Sequence, residues 1–96
     1  MIVKEAVILN PSGLHARPAA TFVAAAGKFS SKIRIRNLDT NSGPVNAKSI
    51  LMLLSLAMGR GVRVELSADG PDEAEAMETL VGLIKSGCGE ELQPEA

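Results

Sequence analysis

Two stretches of this chain alternate without a break: Lys32-Ile33-Arg34-Ile35-Arg36 and Val62-Arg63-Val64-Glu65-Leu66-Ser67. Successive side chains of a strand point to opposite faces, so each stretch makes a strand with one apolar and one solvated face. Strands of that kind belong to an antiparallel sheet covered on one side only. The cover must come from helices, and the sequence offers three. From Ala16 to Ala26, residues Ala19, Phe22, Val23 and Ala26 form an amphipathic stripe, which Gly27 ends. Asn46 is placed to cap a second helix from Ala47 to about Met58, stopped by Gly59 and Gly61. Gly70-Pro71-Asp72-Glu73 opens a third, with Pro at the first helical position and Ala74, Met77, Leu80, Val81 and Ile84 buried. Lys85 and Gly87 close it.

A β-rich run from Ile2 to Leu9 supplies the first strand, and Gly43-Pro44-Val45-Asn46 a short third one after the turn cluster from Asp39. The resulting order is βαββαβα. The expected fold class is α+β, an open-faced β-sandwich with a four-stranded antiparallel sheet and three helices on one face. Only 2% of the residues are aromatic against 46% apolar, so the core must be built from Ala, Val, Leu, Ile and Met. One domain is expected over residues 1–88, followed by a flexible acidic tail at 89–96. The apolar run from Ile50 to Met58 is broken by Ser55 and falls short of the roughly 18 residues of a membrane span. No secretory leader is legible, and Cys88 alone cannot form a disulfide within the chain, so a reducing cytoplasm is expected. Cys88 and His15 lie far apart in sequence; neither a metal nor another cofactor is expected.

Charge is divided unevenly. Residues 1–63 carry nine Lys/Arg against Glu5 and Asp39, and residues 64–96 carry Lys85 against nine acids. The basic half contains the only histidine, His15, in the run Pro11-Ser12-Gly13-Leu14-His15-Ala16-Arg17-Pro18-Ala19. Gly13 permits a sharp turn with positive φ, and Pro18 suits the first turn of a helix. Ser12, Gly13, His15, Ala16 and Pro18 therefore surround a helix mouth, where unpaired N–H groups and the helix dipole favour an anion. Arg17 adds a fixed cation, and a neutral imidazole is a competent nucleophile. Phosphoryl is the group that such a site would receive. An acidic partner is expected to approach this half. Nucleic acid is not, because both aromatics, Phe22 and Phe29, read as core.

Gly13-Leu14-His15-Ala16-Arg17-Pro18-Ala19 resembles the active-site signature of HPr, the histidine phosphocarrier family of the sugar phosphotransferase system. A second match follows in Val45-Asn46-Ala47-Lys48-Ser49-Ile50 and Leu54-Ser55-Leu56. The resemblance implies that His15 accepts a phosphoryl group on Nδ1 from enzyme I, with Arg17 beside it, and passes it to enzyme IIA-type acceptors. It also implies a docking patch at Ile50, Leu51 and Leu54, near Lys48, and a monomeric carrier rather than an enzyme. The uncharged face of the first helix at Ala20 and Ala24 is open to two readings, plain helix propensity or a docking surface. Ser49 matches the serine that a regulatory kinase modifies in some members, and it equally fits ordinary helix capping. The alternative role is a regulatory module on the same scaffold, such as a nitrogen-type phosphotransferase relay. A third reading, an enzyme with His15 as general base, lacks an acid partner nearby. The turn from Asp39 to Pro44 and the tail beyond Gly87 are longer than the family pattern, which leaves the edge strand open.

Overall fold

The computed structural model describes residues 1–10, 13 and 16–88. The sheet is organised by its two alternating strands, β2 (Lys32–Asn37) and β4 (Arg63–Asp69), which pair antiparallel at its centre with Ile35 opposite Leu66. The edges are β1 (Ile2–Val7), beside β4, and β3 (Ser42–Asn46), beside β2, giving the order β1-β4-β2-β3. Ile33, Ile35, Val64, Leu66 and Ala68 all fall on the covered face and are buried. Lys32, Arg34 and Arg63 stand exposed on the other. That face bears the Arg36–Glu65 ion pair, 3.4 Å between nitrogen and oxygen. The sequence order βαββαβα and the open-faced α+β architecture are those expected.

Three helices close the core: α1 (Ala16–Ala26), α2 (Ile50–Leu54) and α3 (Glu73–Lys85). Ala19, Phe22 and Ala26 of α1 are fully buried, and Val23 is partly so. Fully burying a side chain such as Phe22 or Leu80 contributes about 1.5–3 kcal/mol, so the helical stripes and the sheet face hold each other.

Several boundaries differ from the expectation. Strand pairing in β1 ends at Val7, although Ile8 N–H still donates to Val62 O at 3.0 Å. Strand β3 begins one residue earlier than expected, and its register on β2 shifts between Ile35 and Asn37, absorbing the long turn. The largest correction is α2, which runs over five residues rather than from Ala47 to Met58. Asn46 does not cap it. Asn46 is still paired with Arg34 in β3, Ala47 N–H donates to Ile33 O, and the Asn46 side chain accepts from Lys48 N–H in a local turn. Ser49 is the cap, its Oγ accepting from Met52 N–H at 3.3 Å. The helix is over before Gly59, because Ala57 takes a left-handed φ of +50°.

In α3, Pro71 precedes the cap residue Asp72 instead of occupying the first helical position. Ala76 takes the buried place expected for Ala74, which is exposed, and Val81 is half-buried. The Asp72 carboxylate does not cap its own helix. It accepts from Ser30 N–H at 2.8 Å, from Ser31 N–H at 2.9 Å and from the Ser31 hydroxyl, tying the start of α3 to the entry of β2. The Ser31 hydroxyl and the two N–H donors hold the Asp72 carboxyl below the usual carboxylate range. A depressed carboxyl contributes stability above its unfolded pKa and loses it as pH falls through the folded value. Asp72→Ala is therefore expected to be less stable than the wild type at neutral pH. The gap should narrow as pH falls below about 4 in denaturant titrations. A gap that stays constant down to pH 2 would show that the ionised carboxylate is not what stabilises this junction.

Candidate functional site

The expected phosphoryl run lies where β1 hands over to α1. Ser12 and His15 lie outside the described residues, so the site is built here from what surrounds them. Gly13 has a φ of +79°, as its place before the helix mouth requires. It also has no room for a side chain: a Cβ there would collide with the Met58 carbonyl oxygen and come within 2.8 Å of Gly59 Cα. Gly13 is thus seated directly on the backbone that follows α2.

Two more ties fix that seat. Gly13 N–H donates to Asn10 O at 2.9 Å, and the buried Asn10 side chain donates its Nδ2 proton to Gly87 O at 2.7 Å. Gly87 lies just past α3 with a φ of +83°, so the end of that helix also supports the loop. On the far side of the run, Pro18 and Ala19 are buried and anchor the first turn of α1. Arg17, between them and Ala16, is exposed and has no carboxylate partner among the described residues. A free guanidinium beside a helix N-terminus is what an incoming anion needs.

The residues expected to dock a partner lie on α1 and α2, which pack together. Ala20 and Ala24 are both exposed, so the uncharged face of α1 is a surface. On α2, Leu53 is fully buried, with Leu56 after it, and Ile50, Leu51 and Leu54 are 40%, 77% and 41% exposed. Met52, which sequence reasoning did not assign to this patch, is 44% exposed and joins it. Contiguous large apolar side chains left in solvent mark an interaction surface. Lys48 does not stand free beside it: its ammonium donates to Phe29 O at 2.6 Å, just past the C-terminal end of α1, whereas Arg17 stands at the other end. Lys48 and Arg17 therefore lie at opposite ends of that helix.

Sequence reasoning missed two buried asparagines. Asn37 donates from Nδ2 to Leu56 O at 3.0 Å and accepts from Asp39 and Thr40 N–H, binding the end of β2 to the segment after α2. Asn10 does the corresponding work for the phosphoryl loop. The only sequence signal was an amide residue at the end of β2 and one three residues beyond β1.

A family model described as "PTS HPr component phosphorylation site" matches residues 2–86. The phosphocarrier protein HPr of Cupriavidus necator is 42% identical over 90 residues, covering 94% of this chain and 98% of that protein. The multiphosphoryl transfer protein of Vibrio cholerae is 43% identical over 83 residues, or 86% of this chain, which spans only 21% of that longer protein. Among solved structures, HPr-C-His from Thermoanaerobacter tengcongensis superposes with a TM-score of 0.88 at 50% identity, covering 96% of this chain and all of that one.

Gly13→Ala is expected to destabilise the fold by about 2–5 kcal/mol, through a left-handed conformation unsuited to Ala and a collision with backbone. Gly61→Ala shares the positive φ, +85°, but a Cβ there meets nothing within 4 Å. It should cost only about 1–2 kcal/mol. Equal losses for the two variants in denaturant unfolding would mean that residue 13 is not seated as described.

Proposed function

This chain belongs to the HPr family of phosphotransferase-system phosphocarriers, and we propose on that footing that His15 is the residue that carries the phosphoryl group. Enzyme I is the donor and enzyme IIA-type domains are the acceptors. In each transfer the Nδ1 lone pair of neutral His15 forms the new bond to phosphorus. The donor's bond to phosphorus breaks, and the donor keeps that electron pair. Onward transfer reverses the roles. Ser12, Gly13, Ala16 and Pro18 shape the loop and helix mouth that receive the phosphoryl oxygens, and Arg17 pairs with them. The observation that supports this reading is the seat of Gly13 against Met58 and Gly59, three residues before the start of the eleven-residue α1.

No turnover chemistry on this chain is required, because the partner supplies the other half of each transfer. The protein is read as a stoichiometric carrier, monomeric and cytoplasmic. Among its described residues no helix is long and apolar enough to cross a membrane. Partners dock over Ala20, Ala24, Ile50, Leu51 and Leu54, with Lys48 at the border.

Ser49 is the regulatory position in this reading, open to a serine kinase and a phosphatase. Its hydroxyl caps α2, so a phosphate there keeps an acceptor for the helix N–H groups and adds charge beside exposed Ile50 and Leu51. The interface would lose, not the fold.

One assay tests both parts: uptake of phosphoryl from phosphoenolpyruvate through enzyme I, with thermal unfolding measured on the same samples. His15→Ala should fold normally and take up no acid-labile phosphoryl. Ser49→Asp should unfold at the wild-type midpoint, since Asp is an equally good cap, and take up phosphoryl more slowly through weaker binding of enzyme I. Wild-type uptake by His15→Ala would refute the carrier role of that residue. Unchanged uptake by Ser49→Asp would remove α2 from the docking surface.

A further inference from the structure

A cationic cleft at the start of β2 has no role in the account so far. It lies past the end of β3, where Asn46 still pairs with Arg34 and Ala47 N–H donates to Ile33 O. Its volume is about 340 Å³, and Lys32, Arg34 and Lys48 line it together with Ser30, Ser31 and Asn46. Among the described residues no carboxylate lines it. Lys32 and Arg34 stand two residues apart on one face of β2, whereas Lys48 comes from the turn after β3. Phe29 O holds the Lys48 ammonium at 2.6 Å, so that charge has a fixed place. Asn46 Oδ1 accepts from Lys48 N–H, which leaves the Nδ2 protons of Asn46 as donors. The acids around these residues are each engaged by another donor. Asp69 is opposite Lys32 across the sheet but meets the N-terminal amine at 3.9 Å, and Glu65 pairs with Arg36 at 3.4 Å. The Asp72 carboxylate is taken by Ser30 and Ser31. Lys32 and Arg34 are left exposed, with no carboxylate partner among the described residues.

From this arrangement we infer that the cleft binds a small polyanion of the phosphate class, a diphosphate group being the simplest that engages all three cations. Like charges gathered in one concavity repel one another until an anion joins them, and the concave wall focuses their potential. Lysine and arginine recognise phosphate through charge-assisted hydrogen bonds, arginine two at a time. Cations arriving from two chain segments suit a tetrahedral phosphate, whose oxygens point in three dimensions, better than a planar carboxylate. The volume is at the small end of the range for small-molecule sites, which fits a compact ligand. The cleft is separate from the phosphoryl end. Arg17 sits at the N-terminal end of α1 and Phe29 follows its C-terminal end, and a helix of eleven residues is about 16 Å long. The inference therefore stands independently of the carrier reading.

The test is a titration of the ¹⁵N-labelled protein with inorganic pyrophosphate at low ionic strength, read at the backbone amides, with citrate at matched ionic strength as the comparison. The signals of Lys32, Arg34, Asn46 and Lys48 should move together along one saturating curve. Lys32→Gln and Arg34→Gln should each weaken binding at the cleft about three- to tenfold, as for loss of one exposed charge on a phosphate. Any response from Arg17 to Ala19 reports the other end of α1 and should keep its wild-type midpoint in both variants. A parallel titration with a nucleoside diphosphate tells a free diphosphate from one carried on an organic body. A midpoint equal to that of pyrophosphate assigns the cleft to the diphosphate alone, and a lower one to the whole molecule. Shifts that rise linearly without saturating, equal midpoints for citrate and pyrophosphate, or a curve that neither substitution moves would overturn the inference.

Discussion

The phosphoryl end depends on one steric fact: there is no space for a Cβ at residue 13. Because Gly13 lies directly on the Met58 and Gly59 backbone, its position before α1 is set by main chain, which has few ways to move. Side-chain contacts would leave rotamers to settle. The supports come from separate parts of the chain. Ile8 and Asn10 lead out of β1, Met58 and Gly59 follow α2, and Gly87 ends α3. A site for group transfer between proteins must be presented at the surface and yet held in one geometry. At the proposed site the core-forming elements hold Gly13 from behind, and Arg17 is exposed.

The sheet makes this possible by keeping its two central strands strictly alternating. All three helices are forced to one face, and their ends gather around the connections between strands. The open face is left to charged side chains such as Lys32, Arg34 and the Arg36–Glu65 pair. Helix α2 is the least committed element, five residues long with one residue buried. Its exposed apolar side chains contribute little to the core, which leaves them available to a partner.

What was legible in the sequence follows from how local its causes are. Strands β2 and β4 were readable because burial on one face imposes alternation within a few residues. The boundaries of α1 were readable because its stripe and Gly27 are adjacent in sequence. Helix α2 was misread because Asn46 is a good cap in isolation, and only its pairing with Arg34 keeps it in the sheet. The polar anchors were invisible for the same reason. Asn10 meets Gly87 77 positions away, Asp72 meets Ser31 41 positions away, and Asn37 meets Leu56 19 positions away. Of the expected site, Gly13, Arg17 and Pro18 lie where the sequence put them. Ser12 and His15 fall outside the described residues, and the roles of His15 and Ser49 remain proposals that the surrounding geometry supports.

The measurement that bears most directly on the central claim is the site of phosphorylation itself. The protein, with its single histidine labelled with ¹⁵N, is incubated with enzyme I and phosphoenolpyruvate, and nitrogen and phosphorus spectra are recorded. The account predicts an acid-labile phosphoryl group bonded to Nδ1 of His15, with a direct coupling between phosphorus and that nitrogen. An acid-stable phosphate on Ser49, or an unmodified histidine after enzyme I has been fully phosphorylated, would contradict it.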